Sequence, residues 1–398
     1  MSARGGGGQH EGALPPPLRG PPGILGTKER PGVLEPRSEA DVAEAVRAAR
    51  GPLAVGGGFT RGLSGEGERL TTRALSGIVL HEPGALTLVA RAGTPVAEVE
   101  ARLAAEGQRL AFEPPDLRAL LGTGGEPTVG GVVAANASGP RRVQAGAARD
   151  ALLGVRFVDG TGTVVRNGGR VMKNVTGLDL ARLLAGSHGT LGVLTEVALK
   201  VLPSPEAAVT LALHGLDAEG AVAAMSDALS SPFEVTGAAH EGEAGVTRLR
   251  LEGFRAAAEG RAGRLAERLA PWGAAVVEED DPWPALRDVH AFAGKPGDVW
   301  RLSLRPSEAP SVLARAGGAH LLDWGGARAW VLVAEGTDLR GRLGAAGARA
   351  VLVRAGHETR AALGTFPPEA PGVATLSARL RERFDPRGVL NPGLMALA

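Results

Sequence analysis

Four clusters of small residues fall within about 140 positions of this chain, and their composition is the first hint of chemistry. The first, Gly56-Gly57-Gly58-Phe59-Thr60, directly follows a short apolar run, Pro52–Val55. Consecutive glycines let several backbone N–H groups point at one anion, and no side chain blocks its approach. Thr60 can add a hydroxyl donor. The second cluster runs from Thr128 to Arg142 (TVGGVVAANASGPRR) and suits backbone lying against a flat or phosphate-bearing ligand. The third spans Gly168–Leu180 and the fourth Gly186–Val197 (GSHGTLGVLTEV). Read singly, each is as readily a packed turn. Four together point to one extended ligand.

Several chemistries are excluded. No Gly-Lys-Ser/Thr follows the first cluster, so it is not a Walker loop, and Gly122-Thr123-Gly124 lacks the third glycine and the helix of a dinucleotide fingerprint. No Gly-x-Ser-x-Gly elbow is present. The eight histidines are scattered, without the spacing of a metal site. With no cysteine, the chain cannot form disulfides, thiolate metal sites, cysteine-ligated iron–sulfur clusters or a cysteinyl flavin link. A net charge of +1 gives no reason to expect nucleic acid. Positive charge is almost all arginine, with lysine only at 28, 173, 200 and 295.

The elements that must position these clusters are legible from periodicity. At 398 residues, two lobes are expected. Residues 1–23 read as a flexible Gly/Pro tail without the apolar centre of a signal peptide. No apolar run reaches membrane-span length, so the expected location is cytoplasmic, with any inner-membrane association made through partners. Ser38 caps a helix over Ser38–Arg50, with Asp41 three residues on. Strands are expected at Pro52–Val55, Ile78–Leu80 and Leu86–Ala90. A helix should then start with Thr94 as N-cap and Pro95 at its first position, ending at Gly107. Val155–Val158 and Thr163–Arg166 form a hairpin around Asp159-Gly160. Leu191–Leu202 partly alternates as a strand does, and Pro203 stops it. Beyond residue 204, Ala-rich helices such as Gly253–Ala270 alternate with strands such as Ala329–Val333.

Taken together, the clusters resemble the vanillyl-alcohol-oxidase/p-cresol-methylhydroxylase (PCMH) flavoprotein superfamily, and within it the E-type subunits of bacterial glycolate oxidases. Glu113-Pro114-Pro115, Gly139–Arg142, Val171–Asn174, Gly189–Val197, Lys200–Pro203, Asp323–Gly326 and Phe384–Gly393 carry the likeness. It implies an α+β fold: a two-lobed PCMH-type FAD-binding domain over 24–203, a smaller α+β cap over 204–380, and a tail, 381–398, returning to the flavin domain. FAD is the implied cofactor. Gly56, Gly57, Gly58, Phe59 and Thr60 would wrap its pyrophosphate. Pro115, Thr128, Gly130, Gly131, Ala134 and Asn136 would line a second flavin loop. Gly189, Gly192, Val193 and Thr195 would lie by the adenine and ribose, and Asn391 would return towards the flavin. Relatives that bond flavin covalently carry a histidine near the first loop. Here the local residues are Gly58, Phe59, Thr60 and Arg61, so non-covalent FAD is expected.

One departure bears on function. Catalytic D subunits carry a His-x-Gly-Asp-Gly-Asn-x-His metal motif late in the chain, whereas this chain has only Gly356-His357-Glu358. A carboxylate substrate needs a cationic clamp and its hydroxyl proton needs a base. Arg301 and His357 are the candidates, set against the alternative of a surface arginine and a structural histidine. The resemblance therefore implies an auxiliary or electron-relaying FAD subunit in a glycolate-to-glyoxylate complex, partnered by a catalytic FAD subunit and an iron–sulfur subunit. The alternatives are a self-sufficient dehydrogenase of 2-hydroxy or sugar acids and a flavin-free scaffold subunit.

Overall fold

The computed structural model describes residues 32–169, 178–344 and 346–395. The N-terminal tail and the stretch 170–177, which holds most of the third cluster, lie outside the described residues.

Helix Glu39–Ala48 starts with a complete capping box: Asp41 N donates to Ser38 Oγ (3.1 Å), and Ser38 N to the Asp41 carboxylate (2.9 Å). Its inner face buries Val42, Ala43 and Val46. Below it lies a parallel three-stranded sheet in the order Val33–Leu34, Glu68–Thr71, Leu53–Gly56. A six-stranded antiparallel sheet completes this half. Its spine is the eleven-residue strand Val193–Pro203, paired with Thr87–Arg91, Leu152–Val158 and Gln108–Leu110.

One local expectation needs correcting. The helix after Gly93 starts at Val96, with Pro95 as its cap residue. Thr94 does not cap it, because its hydroxyl donates to Arg91 O (2.7 Å) and accepts from Gly77 N (3.0 Å), fastening the preceding strand instead. The long strand ends at Pro203, as expected, and begins at Val193 rather than Leu191. Pro203 stands opposite Gln108, at a strand end where a missing N–H costs little.

The later half is an antiparallel sheet of eight strands spanning Ala207–Arg354. Helices Ala218–Leu229, Arg255–Leu269, Ala309–Ala316 and Leu339–Leu343 bury one face, through residues such as Met225, Leu265, Trp300 and Leu322. Ala239, Val299, Leu321 and Trp330 of the other face pack with Leu117, Leu120 and Phe292. Each large apolar side chain so buried stabilises by roughly 1.5–3 kcal/mol. Among the described residues no strand pair joins the two sides of residue 204 except a bridge between Leu53 and Leu390, which brings the C-terminal segment back to the first sheet.

Buried ion pairs also join the two halves. Arg250 on strand Val246–Gly253 makes two 2.9 Å hydrogen bonds to Glu113. Glu252, on the same strand, receives Arg141 and, at 2.8 Å, Arg109. The side chains of Arg141 and Glu252 are 3% and 6% exposed, so neither charge can fall back on water.

Candidate functional site

Strand Leu53–Gly56 delivers the first glycine loop to the second. A Cβ on Gly57 would sit 2.0 Å from Thr128 Oγ1, and one on Gly58 would sit 1.8 Å from Glu126 O. Only glycine permits this approach. Thr128 caps the short helix Val129–Ala134 by accepting from Gly131 N (3.2 Å). The fourth cluster closes the third side: His188 N donates to Ala134 O (2.9 Å), and His188 holds a left-handed φ of 50°. Asn391 fastens the assembly from behind. Its amide accepts from Val55 N (2.7 Å) and donates to Val55 O (3.0 Å) and His188 O (2.8 Å). The loops bound a single cleft.

Gly56, Gly57, Gly58, Phe59, Thr60, Thr128, Gly130, Gly131, Ala134, Gly189, Gly192 and Val193 all line this cleft. Four other candidates stand outside it. Thr195 donates to Glu39 (2.8 Å), and Asn136 accepts from Arg149 N (3.0 Å), bracing the loop behind. Asn391 is the buried clamp already described. Pro115 lines an adjoining cavity. From the third cluster, Gly168 and Gly169 border a separate recess beside Arg156. Several glycines are needed for a different reason than ligand approach alone: the missing Cβ of Gly57 makes room for Thr128, and that of Gly192 for Phe157 (2.5 Å). At Gly131 a Cβ would meet only Thr128 Oγ1, at 3.2 Å, so this part of the wall is open main chain.

The adjoining cavity shares Arg61, Leu63, Ala135 and His188 with the cleft. Arg301 lines it, projecting from strand Asp298–Ser303 on the sheet face that also carries its register partner Trp330. His357 does not. It is exposed at the start of helix His357–Leu363 and lines neither space. Arg61, Arg328 and His188 were missed as site residues. Burial, then the Arg301 charge, lowers the Arg61 guanidinium to about 10, still cationic at neutral pH. Burial, then the Arg301 and Arg61 charges, holds the His188 imidazole down to about 4, hence neutral. Arg328 is pushed down by burial and by Arg301 but stacks 3.2 Å from the Trp324 ring centroid.

A long cleft walled by main chain, with glycine loops from three stretches and no cluster of three metal-ligating side chains among the described residues, suits a diphosphate-bearing dinucleotide held by backbone N–H groups. Comparison with known proteins agrees. Residues 31–168 match the FAD binding domain family. The fold resembles alkyldihydroxyacetonephosphate synthase in P212121, with a TM-score of 0.66 at 15% identity over 91% of this chain and 75% of that one. The protein is an FAD-dependent oxidoreductase with a PCMH-type fold.

Closer relatives narrow this. The chain is 37% identical over 86% of its length to glycolate oxidase subunit GlcE of Escherichia coli (strain K12), covering 92% of that protein. It belongs to the GlcE family of glycolate-oxidase-type FAD subunits. Glycolate oxidase subunit GlcD of Bacillus subtilis (strain 168) is 36% identical over 30% of this chain, which spans a quarter (25%) of GlcD.

Proposed function

We propose that this chain is the electron-relaying FAD subunit of a complex that oxidises glycolate to glyoxylate, with a second flavin subunit and an iron–sulfur subunit as partners. Convergence of the glycine-rich loops on one cleft supports the reading. Gly56–Thr60 would hold the pyrophosphate, Thr128–Ala134 the flavin side, and Gly189–Val193 the adenosine side. Bound flavin would take up and pass on electrons delivered by the partner flavin subunit. The chain's own residues shape the cleft, exclude water and fix the loops, with Asn391 locking Val55 to His188. No histidine stands at Gly58–Arg61 to form a covalent link, which supports dissociable FAD. Among the described residues no helix is long and apolar enough to cross a membrane, so attachment to one would pass through the partners.

Absence of the late metal motif favours the relay role, whereas the arginine-lined cavity beside the cleft favours a second reading, in which this chain oxidises a 2-hydroxy acid itself. Anaerobic mixing of the isolated FAD-loaded chain with glycolate or D-lactate separates the two. A relay subunit keeps its oxidised flavin spectrum. Bleaching at a catalytic rate overturns the relay reading in favour of the self-sufficient one.

A further inference from the structure

Helix Pro371–Phe384 turns its polar face inward and its apolar face outward. It spans 14 residues, starts with Pro371 at its first position, and buries none of them. Every other helix of eight or more residues among the described ones buries at least three. The face set against the protein is small or polar. Ala374, Ser377 and Arg381 are half-buried there, with Ser377 donating to Glu369 (3.1 Å) and Arg381 to Met395 O (3.3 Å). Val373, Leu376 and Leu380 form the adjoining stripe and are 52%, 61% and 39% exposed. Their spacing, i, i+3 and i+7, puts all three on one side of the helix. Most helical stability in proteins comes from packing such a face, and this chain does not supply that packing itself.

Charge selects the occupant. Arg379 and Arg383 are exposed one helical turn apart beside the stripe, and neither forms an ion pair among the described residues. Two copies of this chain packed stripe to stripe would gather arginines along the contact with no counter-charge, which opposes self-association. A lipid surface is a poor match, because the stripe carries no aromatic residue and Glu382 stands among the arginines. A protein groove with an apolar floor and a carboxylate rim fits both the stripe and its border.

The stripe also lies next to the flavin cleft in the chain's path. Just before the helix, Phe366 lines the adjoining cavity and packs against His188 (5.0 Å between ring centroids). Just after it, Asn391 locks Val55 to His188, and Leu394 lines the cleft. A protein seated on the stripe therefore abuts the segment that frames the cleft.

We propose that Val373, Leu376 and Leu380 form the docking face for the flavin subunit that delivers electrons to this one, received in an apolar, carboxylate-rimmed groove of that partner. Which partner docks rests on the electron-relay reading; that the stripe is an interface rests on the helix itself.

Calorimetry of the FAD-loaded full chain with the purified D-type glycolate oxidase flavin subunit of the same organism tests it. Wild type should bind saturably. Leu376→Asp and Leu380→Asp should each weaken binding by about 30-fold or more, because each sets a carboxylate in an apolar groove already rimmed by carboxylates. Both positions are exposed in the free chain, so melting temperature and FAD content should stay at wild-type values. Arg379→Glu combined with Arg383→Glu should slow association and flatten its salt dependence. Sedimentation of the chain alone and flotation with anionic liposomes are run beside it. Unchanged affinity in both folded leucine variants would overturn the docking face and leave the relay reading standing. Flavin in the isolated chain bleached by glycolate would remove the relay reading, while weakened D-subunit binding in the variants would still uphold the face. A wild type that does not bind the D-type subunit would overturn both. Self-association or liposome binding that Leu376→Asp abolishes would overturn the proposal in favour of a second copy or a membrane.

Discussion

Gly57→Val should give a folded protein that no longer retains FAD through gel filtration. A valine there places its Cβ 2.0 Å from Thr128 Oγ1 and 3.2 Å from Thr128 Cβ, so the first loop and the start of helix Val129–Ala134 must separate. Both border the cleft, and the separation displaces Gly58 and Phe59 on one wall and Gly130 and Gly131 on the other. Overpacking of this kind costs roughly 1–3 kcal/mol. Charged wholly to binding, that is about a 5- to 150-fold loss of FAD affinity. The sheet behind is untouched, because Thr71 fixes the loop through the Gly57 carbonyl (2.8 Å), not its α-carbon. Flavin absorbance per chain, read beside circular dichroism, checks the result. Full FAD retention by a folded variant would mean that the pyrophosphate lies elsewhere.

Removing Glu252 has the largest expected effect on stability. Burial alone would raise its carboxyl, but the Arg141 hydrogen bond and the charges of Arg250, Arg141 and Arg109 pull it down to about 2 from an ordinary 4.5. Glu113 is also lowered: burial opposes ionisation, but the charges and hydrogen bonds of Arg250 and Arg141 prevail. Glu252→Ala leaves two buried arginines facing an empty position, at a cost of roughly 3–5 kcal/mol in urea unfolding at neutral pH. The sign with pH follows from depressed folded-state values: the contribution is complete above about pH 5 and drains away as pH falls towards about 2. Wild type and variant should therefore converge in stability on acidification. A gap independent of pH would show that lost packing, rather than charge, separates them.

The sequence made the cleft walls readable because their requirement is local. Gly57 and Gly58 must be glycine whatever binds there, and a glycine run after an apolar strand is visible in one dimension. Asn391 was placed near the flavin through family resemblance, since no spacing rule links it to Val55 across 336 positions. Its role as a clamp on backbone needed coordinates. Arg61 and Arg328 were illegible for a different reason. In a chain whose positive charge is almost all arginine, one facing an internal cavity reads like one facing solvent. Arg328 opens a strand buried along nearly its whole length, so alternation gave no warning. His188 sits inside a cluster whose small residues carry the signal, and Thr94 matches a cap pattern while serving the strand before it.

FAD is expected between the glycine loops of residues 56–60, 128–134 and 189–193. A crystal structure of the chain grown with FAD tests it most directly. The pyrophosphate is expected within hydrogen-bond distance of main-chain N–H groups around Gly57 and Gly58, with the isoalloxazine edge turned towards His188 and Arg61. Flavin bound elsewhere, or a cleft left empty at saturating FAD, would contradict it.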